Sequence, residues 1–206
     1  MLTADPVREL LPPKPVDLDR VEAAAAELLA ALGQEHKAEV MNHSPRRIAE
    51  LWAQTINPPD VDVELPLKWF ENPGMEDLVI VNDVHYVSVC EHHLAPAFGV
   101  AHVCYVPDDR VVGYSKLKKA LNYFARQPQL NERLVVEVLD AIEEQLEPLG
   151  TALVLRSVHC CIALRTNAPS QELVTVTGYR GCLKESPWRQ TFDATWTTAP
   201  RSFLGA

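Results

Sequence analysis

The chain has 206 residues, 47% hydrophobic and 23% charged, with a net charge of −9. That length can bury one substantial core, and the negative balance excludes a general binder of nucleic acid or acidic membranes, so an anionic ligand must be held by a local basic pocket. Five cysteines, an odd number set partly among histidines, speak against a secreted disulfide framework; with no uncharged apolar run of about 18 residues, a cytoplasmic protein without a membrane partner is expected.

Residues 1–18, interrupted by Pro6, Pro12, Pro13 and Pro15 and lacking an apolar run, are expected to be a flexible leader rather than a signal peptide. Asp19–Leu32 has apolar residues at helical spacing, many alanines and a stop at Gly33. Ser44 reads as an N-cap with Pro45 in the first helical position, opening a second helix over Arg46–Thr55. A helical region thus fills 19–76. Leu78–Val89 and Ala97–Val106, rich in β-branched and aromatic residues, predict two antiparallel strands. Helices follow over Ser115–Arg126 and Leu130–Leu146, strands over Thr151–Leu164 and Glu172–Tyr179, and a short helix over Pro187–Ala194. The order is α+β, with one main domain over 77–206.

Chemistry concentrates in Cys90-Glu91-His92-His93, at the junction of the first two strands, and in His159-Cys160-Cys161 further on. Two thiolates and an imidazole fill three positions of a tetrahedral Zn²⁺ and leave the fourth for a reactive water. Such a borderline-soft donor set favours zinc. The ligands read from the residues are Cys90, His93 and one of Cys160 and Cys161, with Cys104 and Cys182 as packed thiols.

Together with Gly113-Tyr114-Ser115-Lys116-Leu117, Gln129-Leu130-Asn131-Glu132-Arg133 and Arg165, these motifs resemble type I GTP cyclohydrolase, from about Val21 to Trp196 and including Ser44-Pro45-Arg46-Arg47. The resemblance implies the tunnelling fold, in which a four-stranded antiparallel sheet and two helices per subunit assemble into a barrel, here behind an N-terminal helical extension. It implies a homodecamer with active sites between subunits, and conversion of GTP and water to 7,8-dihydroneopterin triphosphate and formate, the entry to folate and biopterin synthesis.

By the same resemblance the zinc ligands are Cys90, His93 and Cys161, while strand alternation is expected to point Cys160 away. His92 protonates N7 of the base, and His159 assists ring opening and the hydrolysis that frees formate. Ser115 lies near the ribose and phosphate. Glu132 binds guanine, with Asn131 beside it at the base or ribose, and Lys116, Arg165, Arg47 and Lys119 hold the triphosphate. Glu91 is either an orienting partner of the metal site or a surface carboxylate. Tyr114, Asn131 and Thr166 replace the leucine, glutamine and glycine usual at their positions, and Lys119 replaces an arginine. These departures keep a second reading in view: a paralogous purine-nucleotide hydrolase of the same fold with altered substrate or product, serving 7-deazapurine synthesis. A non-catalytic zinc or nucleotide-binding assembly protein is a third, against which His92 and His159 count, since a structural site needs neither.

Overall fold

In the computed structural model, residues 15–56, 67–166, 172–185 and 187–197 are described; most of the expected leader, residues 1–14, lies outside them. The chain divides into two compact units, Met1–Glu64 and Leu65–Ala206. The first holds α1 (Leu18–Ala31) and α2 (Ala38–Thr55), which pack on each other. Asp17 caps α1 by accepting from the Arg20 backbone N–H at 3.1 Å. The expected start of the second helix at Ser44-Pro45 is corrected: α2 begins at Ala38 and contains Pro45. Ala38, Glu39 and Met41 are strong helix formers, and an interior proline removes one hydrogen bond without having to end the helix.

The second unit runs β1 (Trp69–Glu71), β2 (Val79–Cys90), β3 (Pro96–Val106), β4 (Arg110–Val112), α3 (Tyr114–Ala125), β5 (Pro128–Gln129), α4 (Asn131–Leu146), β6 (Gly150–His159), α5 (Cys160–Thr166), β7 (Val174–Gly181) and α6 (Trp188–Thr197). Its main sheet has the order β5-β2-β3-β6-β7, antiparallel except for the short parallel pairing of β5 with β2. The four long antiparallel strands are those expected from the sequence. β1 and β4 form a separate two-stranded sheet. Thr151–Leu164 is not one strand, and the reason lies in the neighbouring strand. The β3–β6 ladder ends at Ala97↔His159, next to Pro96, which has no N–H to extend it, so the chain beyond turns into α5. Among the described residues no helix is long and apolar enough to cross a membrane.

One face of the sheet is covered by α3 and α4. Leu134, Leu139 and Ile142 of α4 are fully buried, each contributing roughly 1.5–3 kcal/mol of transfer free energy. At Gly178 of β7 an added Cβ would lie 2.5 Å from Val135 Cγ1 and 2.7 Å from Leu139 Cδ1, so glycine sets how closely α4 approaches. The other face packs Cys104, Val106, Ala152 and Val154 against Leu183 and Phe192, with Trp188 and Trp196 of α6 alongside.

A β-bulge decides which side chains of β2 reach the helix side. Val81 pairs with Val103 and Val84 with Ala101, so Asn82 and Asp83 are accommodated by a register shift, Asp83 at φ +57°. Odd-numbered residues face α4 before the bulge; afterwards Tyr86, Ser88 and Cys90 do so. They share that face with Ala97, Gly99, Ser157 and His159.

Candidate metal centre and active site

The turn between β2 and β3 brings His93 back toward Cys90. Leu94 N–H donates to Cys90 O and Cys90 N–H to Ala95 O, both at 2.9 Å. Leu94 takes φ +49°, a left-handed conformation costing a branched residue about 1–2 kcal/mol. Within this turn Cys90 Sγ lies 3.6 Å from His93 Nδ1. The first turn of α5 adds Cys161, and the ligand atoms of Cys90, His93 and Cys161 all fall within 4.8 Å of one another. A tetrahedral zinc with bonds of about 2.0–2.3 Å has ligand–ligand edges of about 3.3–3.8 Å, so the Cys90–His93 separation already matches an edge. Burial pushes the Cys161 thiol up, neighbouring Cys90 pushes it further, and Arg165 opposes both. Two thiols this close resist ionising together, and a dication between them removes that resistance. The donor set therefore fits zinc.

Cys160 stands outside this trio, but not for the reason expected. Both cysteines are on α5 rather than on a strand, so the helical turn of about 100° per residue separates them.

His159, the last residue of β6, is held from behind. Its Nε2 is 3.0 Å from Asn131 Nδ2 and 3.0 Å from Ser157 Oγ, and Asn131 Nδ2 also reaches Ser157 Oγ at 2.7 Å. Burial lowers the His159 pKa and Glu132 partly offsets this. Asn131, expected at the base or ribose, is buried with its amide turned inward onto this pair. Its short side chain at the start of α4 reaches the sheet directly below. Near Ser157, the buried Tyr86 hydroxyl is pushed up to about 12 by burial, with Ser157 opposing.

A second network braces the β2–β3 turn. Arg133 on α4 pairs with Glu91 at 2.7 Å and donates to Gln129 Oε1 at 3.3 Å, while Gln129 Nε2 donates to Glu137 at 2.6 Å. Glu91 N–H adds a 3.3 Å bond to Gln129 O. Glu91 is thus ion-paired to the helix that carries Glu132. His92 is exposed, its Nε2 3.9 Å from Glu91 Oε1. Glu132 is exposed in the first turn of α4. Ser115 and Lys119 are exposed and Lys116 half-buried on α3, which packs against β2 and α4. Arg165 is exposed, with its Nε donating to Cys161 O at 2.9 Å. Arg47 is exposed on α2 of the first unit.

Sequence reasoning missed Ser157, Tyr86 and Gly99. Ser157 carried a usable signal, standing two residues before His159 and so on the same face of a strand.

A family model described as GTP cyclohydrolase I matches residues 21–195. The chain is similar to GTP cyclohydrolase 1 of Sulfurihydrogenibium sp. strain YO3AOP1, with 36% identity over 163 residues, 79% of this chain and 84% of that protein. It is 33% identical over 178 residues to GTP cyclohydrolase 1 of Aquifex aeolicus, covering 86% of this chain and 95% of the relative. The same-named protein of Thermobifida fusca is 36% identical over 179 residues, 85% of this chain and 86% of its own.

Proposed function

The chain belongs to the GTP cyclohydrolase I family, and on that premise we propose that it hydrolyses and rearranges GTP to 7,8-dihydroneopterin triphosphate, releasing formate, with zinc held by Cys90, His93 and Cys161. The observation that carries this reading is the convergence of those three donor atoms within 4.8 Å at the end of the sheet where His159 also sits. When bound, zinc would acidify a water toward neutrality and so supply a nucleophile for carbon 8 of the base.

The remaining work falls to the chain's own side chains. His92, exposed beside the ligand His93, hands a proton to N7 as the purine is attacked. His159 assists ring opening and the second hydrolytic step. The Glu132 carboxylate accepts from N1–H and the exocyclic amine of guanine, a pair of donors that adenine lacks. Lys116, Lys119 and Arg165, with Ser115, serve the ribose and triphosphate, and Arg47 is assigned to the triphosphate by its motif. Asn131 serves the site from inside, through His159.

A homodecameric barrel completed by neighbouring copies of the sheet accounts for the apolar side chains left exposed around these residues: Leu94 at 51%, Tyr114 at 71% and Leu164 at 77%. The test is to incubate zinc-loaded protein with GTP and follow formate together with pterin absorbance. Equal yields of both are expected. Formate without pterin would move the assignment to a hydrolase arrested before ring closure, and neither product would overturn the reading.

A further inference from the structure

In the register of the sheet, Tyr86, Gly99 and Ser157 form one row across β2, β3 and β6. A Cβ at Gly99 would run into the Tyr86 ring, 2.7 Å from its hydroxyl oxygen. The phenol therefore lies over bare backbone and carries its hydroxyl toward β6. That hydroxyl is buried without a well-aligned hydrogen bond, an arrangement that costs free energy. Next in the row is Ser157, fully buried, and Ser157 Oγ touches both Asn131 Nδ2 and His159 Nε2. Asn131 closes the triangle at 3.0 Å from the same imidazole nitrogen. Two independent elements, β6 and the first turn of α4, thus grip one nitrogen of one ring.

We propose that Ser157 and Asn131 are positioning residues that fix the orientation of the His159 ring through Nε2, with Tyr86 as the buried end of the same row. Neither Ser157 nor Asn131 is open to a ligand, since both are buried by the sheet and by α4, so they act on turnover through His159. With Nε2 occupied within the protein, the ring keeps one direction and presents its other edge. Nε2 has one lone pair or one proton to share with this pair, and rotation would break that hydrogen bond in a buried setting, where unpaired polar groups are costly. This inference rests on the proposed part of His159 in the hydrolysis of GTP.

The experiment uses full-length zinc-loaded protein. Ser157→Ala and Asn131→Ala should each lower kcat about 10- to 100-fold, the scale of a misplaced reacting group, with KM for GTP and zinc content unchanged. Ser157→Thr, which keeps the hydroxyl, should recover most of the loss. Tyr86→Phe keeps the ring over Gly99 and should reduce kcat by less than either. In a His159→Ala background, Ser157→Ala should cost nothing further. Where His159→Ala itself lowers kcat, unchanged kcat in Ser157→Ala, or the same loss in both backgrounds, would overturn the inference. Crystal structures of the same variants give a second readout that does not depend on turnover: a rotated His159 ring in Ser157→Ala is expected, and an unmoved ring contradicts positioning. If His159→Ala turned over at the normal rate while the ring still rotated in Ser157→Ala, the catalytic reading of His159 would fall and the positioning inference would stand.

Discussion

Two pairs of cysteines in this chain have opposite surroundings. Cys90 and Cys161 meet at the β2–β3 turn, where His93 brings a nitrogen into the same small volume and Arg165 lies close enough to act on Cys161. Cys104 and Cys182 sit in the apolar core beneath α6, among Val106, Val154, Leu183 and Phe192. There burial pushes the Cys104 thiol up to about 12, with Cys182 adding to it. Burial raises Cys161 as well, so burial alone does not separate the pairs. The difference is that one pair has an imidazole nitrogen within the same small volume, and the other is packed against apolar side chains with no imidazole in the cluster. A thiolate ligand needs the first environment, and a packed thiol tolerates the second.

The comparison is sharpest at Cys161 and its neighbour. Cys161→Ala should abolish zinc retention and lower turnover by more than about 1000-fold, since the activated water is lost with the metal, whereas Cys160→Ala should keep both within about twofold. Metal analysis after desalting, followed by formate release, separates the two. A smaller effect is expected in the apolar core. Phe192→Ala should cost about 3–5 kcal/mol of stability by opening a cavity, leaving zinc content and kcat of the folded protein unchanged; urea denaturation against turnover reads this. Loss of zinc in that variant would show that the two regions are not independent.

The smallest expected effect belongs to His102, on the α6 side. Its Nδ1 is 3.1 Å from Asn82 Oδ1, while its Nε2 is buried without a partner among the described residues. Burial lowers its pKa, Arg156 lowers it further and Asp83 opposes. The unfolded chain, with an imidazole near the ordinary value of about 6.5, then binds the extra proton first. Stability from this group is therefore present above about pH 6.5 and is lost as pH falls toward the lower folded value. Melting temperature measured from pH 7.5 to 5.5 should fall more steeply for the natural protein than for His102→Gln; parallel curves would remove His102 from the account.

The long elements were legible because their periodicities are carried within single segments. The alternation in β2 and β3 and the apolar faces of α3 and α4 needed no knowledge of neighbours. α5 was not legible, since Cys160-Cys161-Ile162-Ala163-Leu164 has strand-like composition and turns helical only because Pro96 ends the partner ladder. Pro45 misled for the opposite reason, as a local rule for helix starts was overridden by good helix formers before it. β5 is two residues long and exists only through its pairing with β2.

At the site, the Cys-Glu-His-His run and the paired cysteines pointed to the residues that the structure brings together, and Cys161 joins Cys90 and His93 from a helix rather than from a strand. The row behind His159 could not be read from spacing. Tyr86 reaches it only because the bulge at Asn82 and Asp83 switches the face of β2, and Asn131 only because α4 lies over that end of the sheet.

The proposed chemistry depends first on the ligand set at the β2–β3 turn. Zinc K-edge X-ray absorption on protein that turns over GTP measures it. Two sulfur scatterers at about 2.3 Å with nitrogen or oxygen at about 2.0–2.1 Å are predicted, reduced to one sulfur or to no retained metal in Cys161→Ala and unchanged in Cys104→Ala. A shell of oxygen and nitrogen alone, or a spectrum indifferent to Cys161→Ala, would contradict it.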